Sequence, residues 1–134
     1  MESLKSTRNT VILARTVFAT EPRAGKGLRE ALAAVVMNRY AYELDLDPEI
    51  GFEAVATNRE LFPCWKYPRL LEGCEDDRRY AECFEIAMRS MQSILPDATS
   101  ASIRFCRLGE APLWSVGLSP VFVLDGYGFY NNCD

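Results

Sequence analysis

Apolar residues recur along the first half of the chain at a spacing of three and four. Val11, Ala14, Val17 and Phe18 fall on one face of a helix. The Thr-Glu-Pro triplet at 20–22 should stop that helix, because Pro22 fixes its own φ and disfavours helical geometry at Glu21. The last helical residue is expected at Ala19. Leu28, Ala31, Leu32, Val35 and Val36 repeat at the same period, which predicts a second helix from about Gly27 to Tyr42 with an almost wholly aliphatic face. A short helix is expected near Phe52 to Thr57. The stretch "NRELFPCWKYPRL" that follows contains two prolines and should be an irregular, aromatic-rich loop. From Asp76 to Leu95, the residues Tyr80, Cys83, Phe84, Ala87, Met88, Met91 and Leu95 line one helical face, with Glu75 or Asp76 available as a cap. This helix is expected at the centre of the core, buried through Phe84, Ala87 and Met88.

Beyond Pro96 the period shortens. In "SIRFCRL", Ile103 and Phe105 alternate with Ser102, Arg104 and Cys106, the pattern of a half-exposed strand. In "SPVFVLDGYGFY", Asp125-Gly126 lies between two β-prone runs and signals a hairpin turn. No internal repeat or linker interrupts the chain, so residues 1–134 read as one α+β domain, mainly helical with a small C-terminal β region.

Composition narrows the chemistry. The chain has 134 residues, 49% of them hydrophobic, enough for a single core. A formal net charge of −4 with no basic block argues against nucleic acid as a partner. The N-terminal "MESLKSTRNT" lacks an apolar signal segment, and no run of about 18 apolar residues would insert in a membrane. Synthesis in the cytoplasm without a signal peptide is the expectation. Five scattered cysteines and no histidine disfavour a zinc site and leave a thiol or serine nucleophile without its usual base. Buried free thiols are expected, with no metal and no cofactor.

Carboxylates remain. Glu21, following Val17, Phe18 and Ala19 at a helix end, has the apolar setting in which a carboxyl can become a general acid near neutrality. The same position also suits an ordinary solvated charge.

Four separated stretches resemble the cell wall hydrolase family that includes the spore cortex-lytic enzyme SleB. "LARTVFATEPRA" followed by "ALAAVVMNR" is similar to the family's opening helix and its Ala- and Val-rich second helix ending in Asn-Arg. "LFPCW" resembles its Gln-Phe-Ser-Cys-Trp loop, and "CFEIAMRSMQSILPDATSAS" its Cys-Leu-x-Ile-Ala helix running into Asp-Pro-Thr-Gly-Gly-Ala. "PLW" and "LDGYGFY" are similar to its later Trp and its Ile-Gly-x-His-x-Phe-Tyr end. The order holds from about Ile12 to Tyr130.

The resemblance implies a lysozyme-like fold acting on the glycan strands of peptidoglycan, as a muramidase or a lytic transglycosylase. Such an enzyme uses one glutamate, here Glu21, to protonate the leaving oxygen and then to take the proton of the muramic 6-hydroxyl; ordinary glycosidases use a carboxyl pair. Phe62, Trp65, Tyr67 and Trp114 would offer apolar faces to sugar rings, with Thr99 and Tyr127 as further substrate-binding positions. The chain also departs from the pattern. Counted without a gap, the family's glutamate falls on Thr20, and Glu21 stands where the family has alanine. Leu28-Arg29 replaces Gly-Gln, Tyr127 replaces the final His, and Ser100 and Ala101 replace both glycines. A catalytically inactive member of the fold, binding glycan or serving as a structural part of a particle, is therefore the alternative. Either form, lacking a signal peptide, would reach the wall or periplasm with a phage or gene-transfer-like particle, whose proteins would be its partners.

Overall fold

The computed structural model describes residues 6–133, so residues 1–5 of the N-terminal stretch read for an export signal lie outside the described residues. α1 spans Thr7–Thr20 and opens on Ser6, whose side chain accepts from the Asn9 N–H. It extends one residue past the expected Ala19, and Glu21, at φ −152° and ψ 88°, leaves the helix as the residue before Pro22 must. The buried surface is wider than the single stripe expected. Leu13, Ala14 and Val17 are fully buried, and Asn9, Thr10 and Thr16 are buried with them, because α2, α3 and α5 all pack on this helix.

α2 covers Lys26–Leu46, running past the expected end at Tyr42. Arg39, buried, pairs with Glu43 at 2.7 Å one turn on, which favours continuation. Asp47, preceding Pro48, then turns extended at φ −142° and closes the helix. α3 is Phe52–Ala56, as the pattern predicts. The aromatic loop is irregular as expected, with a 3-10 turn at Pro63–Lys66 and a one-turn helix α4 at Pro68–Leu71.

α5 occupies only Tyr80–Met91 of the expected 76–95 span. Its start carries no side-chain cap from Glu75 or Asp76; a 3-10 turn takes up Cys74–Asp76, and Glu75 pairs with Arg15 on α1 instead. Ser93, at φ +58°, stops the helix before Leu95. The buried face is also rotated. At about 100° per residue, the arc covered by α1 and α2 runs from Ile86 through Cys83 and Ala87 to Met91. Phe84 is left half-buried at its edge, and Met88 is turned outward at 40% exposure.

The C-terminal third supplies an antiparallel sheet of β1 (Arg104–Arg107), β2 (Phe122–Leu124) and β3 (Tyr127–Tyr130) in the order β1-β3-β2. Asp125 and Gly126 make the predicted hairpin turn with φ +49° and +82°, the positive pair that a two-residue type I′ turn requires. In β1 the expected alternation gives way: Cys106 is buried while Phe105 is only half-buried. Gly128 is needed for close approach, since a Cβ there would meet Leu108 at 3.0 Å and Pro120 at 3.3 Å. Tyr127 and Phe129 enter the same apolar cluster as the helices, so sheet and helices share a core in an α+β arrangement.

This packing separates two phenylalanines that look alike in sequence. Phe129→Ala, at a fully buried site, is expected to cost about 3 to 5 kcal/mol. Phe84→Ala, at the edge of the arc, should cost less than about half of that. Urea unfolding of both variants checks the difference, and equal costs would mean that α5 is seated the other way round.

Candidate active site

α1 ends at the margin of an open cleft of about 710 Å³. Its walls are Thr20 from α1, the loop around Cys64 and Lys66, all of β1, Trp114 and Tyr127. Three elements far apart in sequence meet here because α1 is held in the core, the loop is tied to α1, and the sheet closes against the end of the helix.

Glu21 joins the end of α1 to the sheet. Its Oε1 accepts from the Tyr127 hydroxyl at 3.0 Å and from Arg107 Nη2 at 2.7 Å. Among the described residues its Oε2 has no hydrogen-bond partner. The side chain is 22% exposed and sits behind Tyr127 and Arg107 at the cleft margin, whereas Thr20 lines the cleft itself. Thr20 Oγ1 donates back to the Thr16 carbonyl at 2.7 Å. Burial first, and then the neighbouring Glu21 carboxylate, push the Tyr127 phenol up to about 12, so it is a proton-bearing donor throughout the neutral range. Arg107 also lies over the Tyr127 ring, 5.3 Å from its centroid.

The other expected site residues divide. Trp114 lines the cleft, but Arg104 lies over its ring at 4.8 Å and Tyr130 meets it edge-on at 5.1 Å, so the indole is held between neighbours. Phe62 is 1% exposed and stacks on Phe105, so it is a core residue with no face for a sugar. Trp65 is half-buried, and its Nε1 donates to Thr16 Oγ1 at 3.0 Å, which pins the loop to α1. Tyr67 is 56% exposed and is not part of the cleft wall. Thr99 is fully buried, and its N–H and hydroxyl both donate to Asp97 Oδ1, at 2.7 and 2.6 Å; it shapes a turn.

Arg107 was not singled out by the sequence. Its partner lies 86 residues away, and only its place on a strand in "RFCR" could have drawn notice. Among the described residues no group of three or more Cys, Asp or Glu side chains is placed to hold a metal ion, and no helix is long and apolar enough to cross a membrane. All five cysteines are buried. Burial pushes the Cys64 thiol at the cleft up to about 11, which leaves it a packing residue and not a nucleophile. No family model, curated protein or solved structure matches the chain.

The 97–101 turn can be tested by pH. Burial pushes the Asp97 carboxyl up, but hydrogen bonds from Thr99, Asn38 and the Ala101 N–H outweigh it and hold the group below its ordinary 3.8. The stability this adds is present in full above that ordinary value and is lost as pH falls through the lowered folded one. Asp97→Asn should cost roughly 1 kcal/mol at pH 7. The gap from wild type in thermal unfolding should close below the ordinary value of 3.8, whereas a gap that is constant with pH would remove the ionised Asp97 from the account.

Proposed function

We propose that the chain cleaves peptidoglycan glycan strands, as a muramidase or lytic transglycosylase of lysozyme-like fold, with Glu21 as its single acid/base. The observation that carries this reading is the 3.0 Å contact between Tyr127 and Glu21. Glu21 is the carboxylate next to the position where the SleB-type resemblance puts its glutamate, Tyr127 stands where it puts its final histidine, and the two meet beside the cleft of about 710 Å³. The chemistry fits the hydrogen bonding. Oε1 is occupied as an acceptor by Arg107 and Tyr127. A protonated carboxyl would therefore carry its proton on Oε2 and keep Oε1 as the carbonyl oxygen. Oε2–H then protonates the departing glycosidic oxygen, and the resulting carboxylate takes a proton from the muramic 6-hydroxyl or from water. Delivery to the wall by a phage or gene-transfer-like particle belongs to the same reading.

A second reading has its own support. Thr20, not Glu21, lines the cleft, and a hydroxyl closed back onto its own helix moves no proton. On that reading the cleft binds glycan without cutting it, as a particle component.

Glu21→Gln separates the two. In the enzyme it keeps the shape and removes the proton, so release of muropeptides from purified wall should fall at least about a hundredfold. Stability should change by no more than about 1 kcal/mol, since the partner Arg107 is largely exposed. Products ending in 1,6-anhydro groups would mark a transglycosylase and reducing ends a hydrolase. Wild-type protein that binds walls and releases nothing, with cleavage appearing in Thr20→Glu, would establish the binding reading in place of the enzyme.

A further inference from the structure

Glu21 opens a turn whose far side is fastened by a buried arginine. The Ala24 N–H donates to the Glu21 carbonyl at 3.0 Å, closing residues 21–24 into a β-turn with Pro22 in its second place. Proline presets one dihedral there, but the central peptide of such a turn has two allowed directions. Arg29, in the first turn of α2, grips that peptide: its Nη2 donates to the Pro22 carbonyl at 3.1 Å. Its Nη1 donates to Glu82 Oε1 at 2.9 Å, in the first turn of α5. One guanidinium thus ties α2, α5 and the turn that carries the chain out of α1.

Stability alone gives no reason for a cation at this place. Arg29 is buried, and among the described residues nothing accepts from its Nε. Its ion partner, Glu82, is 42% exposed. Leu28, Ala31 and Leu32 around it on α2 are buried and apolar. Replacing such a buried cation by an apolar side chain of similar volume is often neutral or stabilising. What an apolar side chain cannot do is hold a carbonyl and a carboxylate at once, and that is the work of the planar fork.

Resting on the reading of Glu21 as the acid, we propose that Arg29 is its positioning residue. Arg29 is not part of the cleft wall. It acts through the Pro22 carbonyl: the turn is held on one side by α1 and on the other by Arg29, so Glu21 leaves at φ −152° with its carboxyl on Arg107 and Tyr127. Glu82 steadies the guanidinium from α5. An acid displaced by about 1 Å loses up to about a hundredfold in rate, which makes this remote clamp matter to the chemistry.

The test compares the full chain with Arg29→Met, Arg29→Lys and Glu21→Gln. Methionine is of similar length and donates nothing; lysine keeps the charge but lacks the fork. The first readout is the ¹³C signal of the Tyr127 phenol carbon, which senses the bond to Glu21 and is assigned by its absence in Tyr127→Phe. Glu21→Gln sets the position of that signal without the carboxylate. Arg29→Met should move it toward that position, and Arg29→Lys in the same direction by less. The second readout is turnover of soluble glycan strands: in Arg29→Met kcat should fall at least about tenfold with KM within about twofold. A Tyr127 signal that stays put in folded Arg29→Met, or a raised KM with kcat unchanged, overturns the positioning role and leaves the enzyme standing. A signal that moves in a protein whose wild type cuts no strand keeps the clamp on Glu21 and overturns its use as an acid. Should Arg29→Met fail to fold, Arg29→Lys decides by the same two readouts.

Discussion

The burial of α1 on several sides is the constraint from which the rest of the molecule follows. Leu13, Ala14 and Val17 are closed off by α2, α3 and α5, so the helix has no freedom to slide or turn. Burial on this scale also traps the Thr16 hydroxyl, which must find partners or cost stability. It donates to the Ile12 carbonyl at 2.8 Å and accepts from Trp65 Nε1 at 3.0 Å. That second bond fastens the aromatic loop to the helix and so builds one wall of the cleft. A residue that resembles a sugar platform is thus spent on holding the site in shape.

The opposite wall is attached through the helix end. Arg107 and Tyr127 are register partners across β1 and β3, and both donate to one oxygen of Glu21. A slip of one residue in either strand would turn that strand's side chain to the other face of the sheet and part the pair. The Asp125-Gly126 turn and the close approach at Gly128 hold the register. The turn chemistry of the C-terminal strands therefore decides whether Glu21, more than a hundred positions earlier in the chain, has partners. The exposed edge of β1 is a consequence of the strand order, since β3 takes the central place and leaves β1 to border the cleft.

Elements with a strong local signal were legible: the aliphatic repeat of α2, the break at Pro22, the position of α3, and the Asp-Gly hairpin. The rest depended on contacts that no local pattern carries. The α5 arc is turned toward Ile86 because two helices cover it, and an apolar Met88 is left outside. Glu75, a plausible cap, is drawn away by Arg15 on another helix. Ser100 and Ala101 hold left-handed backbone at φ +57° and +61° without being glycine, because Asp97 accepts hydrogen bonds from both ends of the turn. At the cleft margin, Glu21 and Tyr127, both singled out in the sequence, are brought into contact, and Arg107, which joins them, was not singled out. An arginine on a short strand gives no sign of a carboxylate on a distant helix end.

The one-residue step from Thr20 to Glu21 gains a physical meaning from this arrangement. On a continuous helix the step would swing the carboxyl by about 100°, away from the direction Thr20 takes. Here α1 ends between the two, and Glu21 is already extended at φ −152°, so its side chain is aimed by the sheet and not by the helix. Arg107 and Tyr127 take one oxygen and leave the other. Structural and chemical roles then cease to compete for the same atom. A carboxylate that locks the sheet to the helix through Oε1 can still exchange a proton at Oε2, provided a substrate in the cleft reaches past Tyr127 to the margin where Glu21 sits. That reach, more than the identity of the residue at position 20, separates the proposed cutting cleft from the proposed binding one.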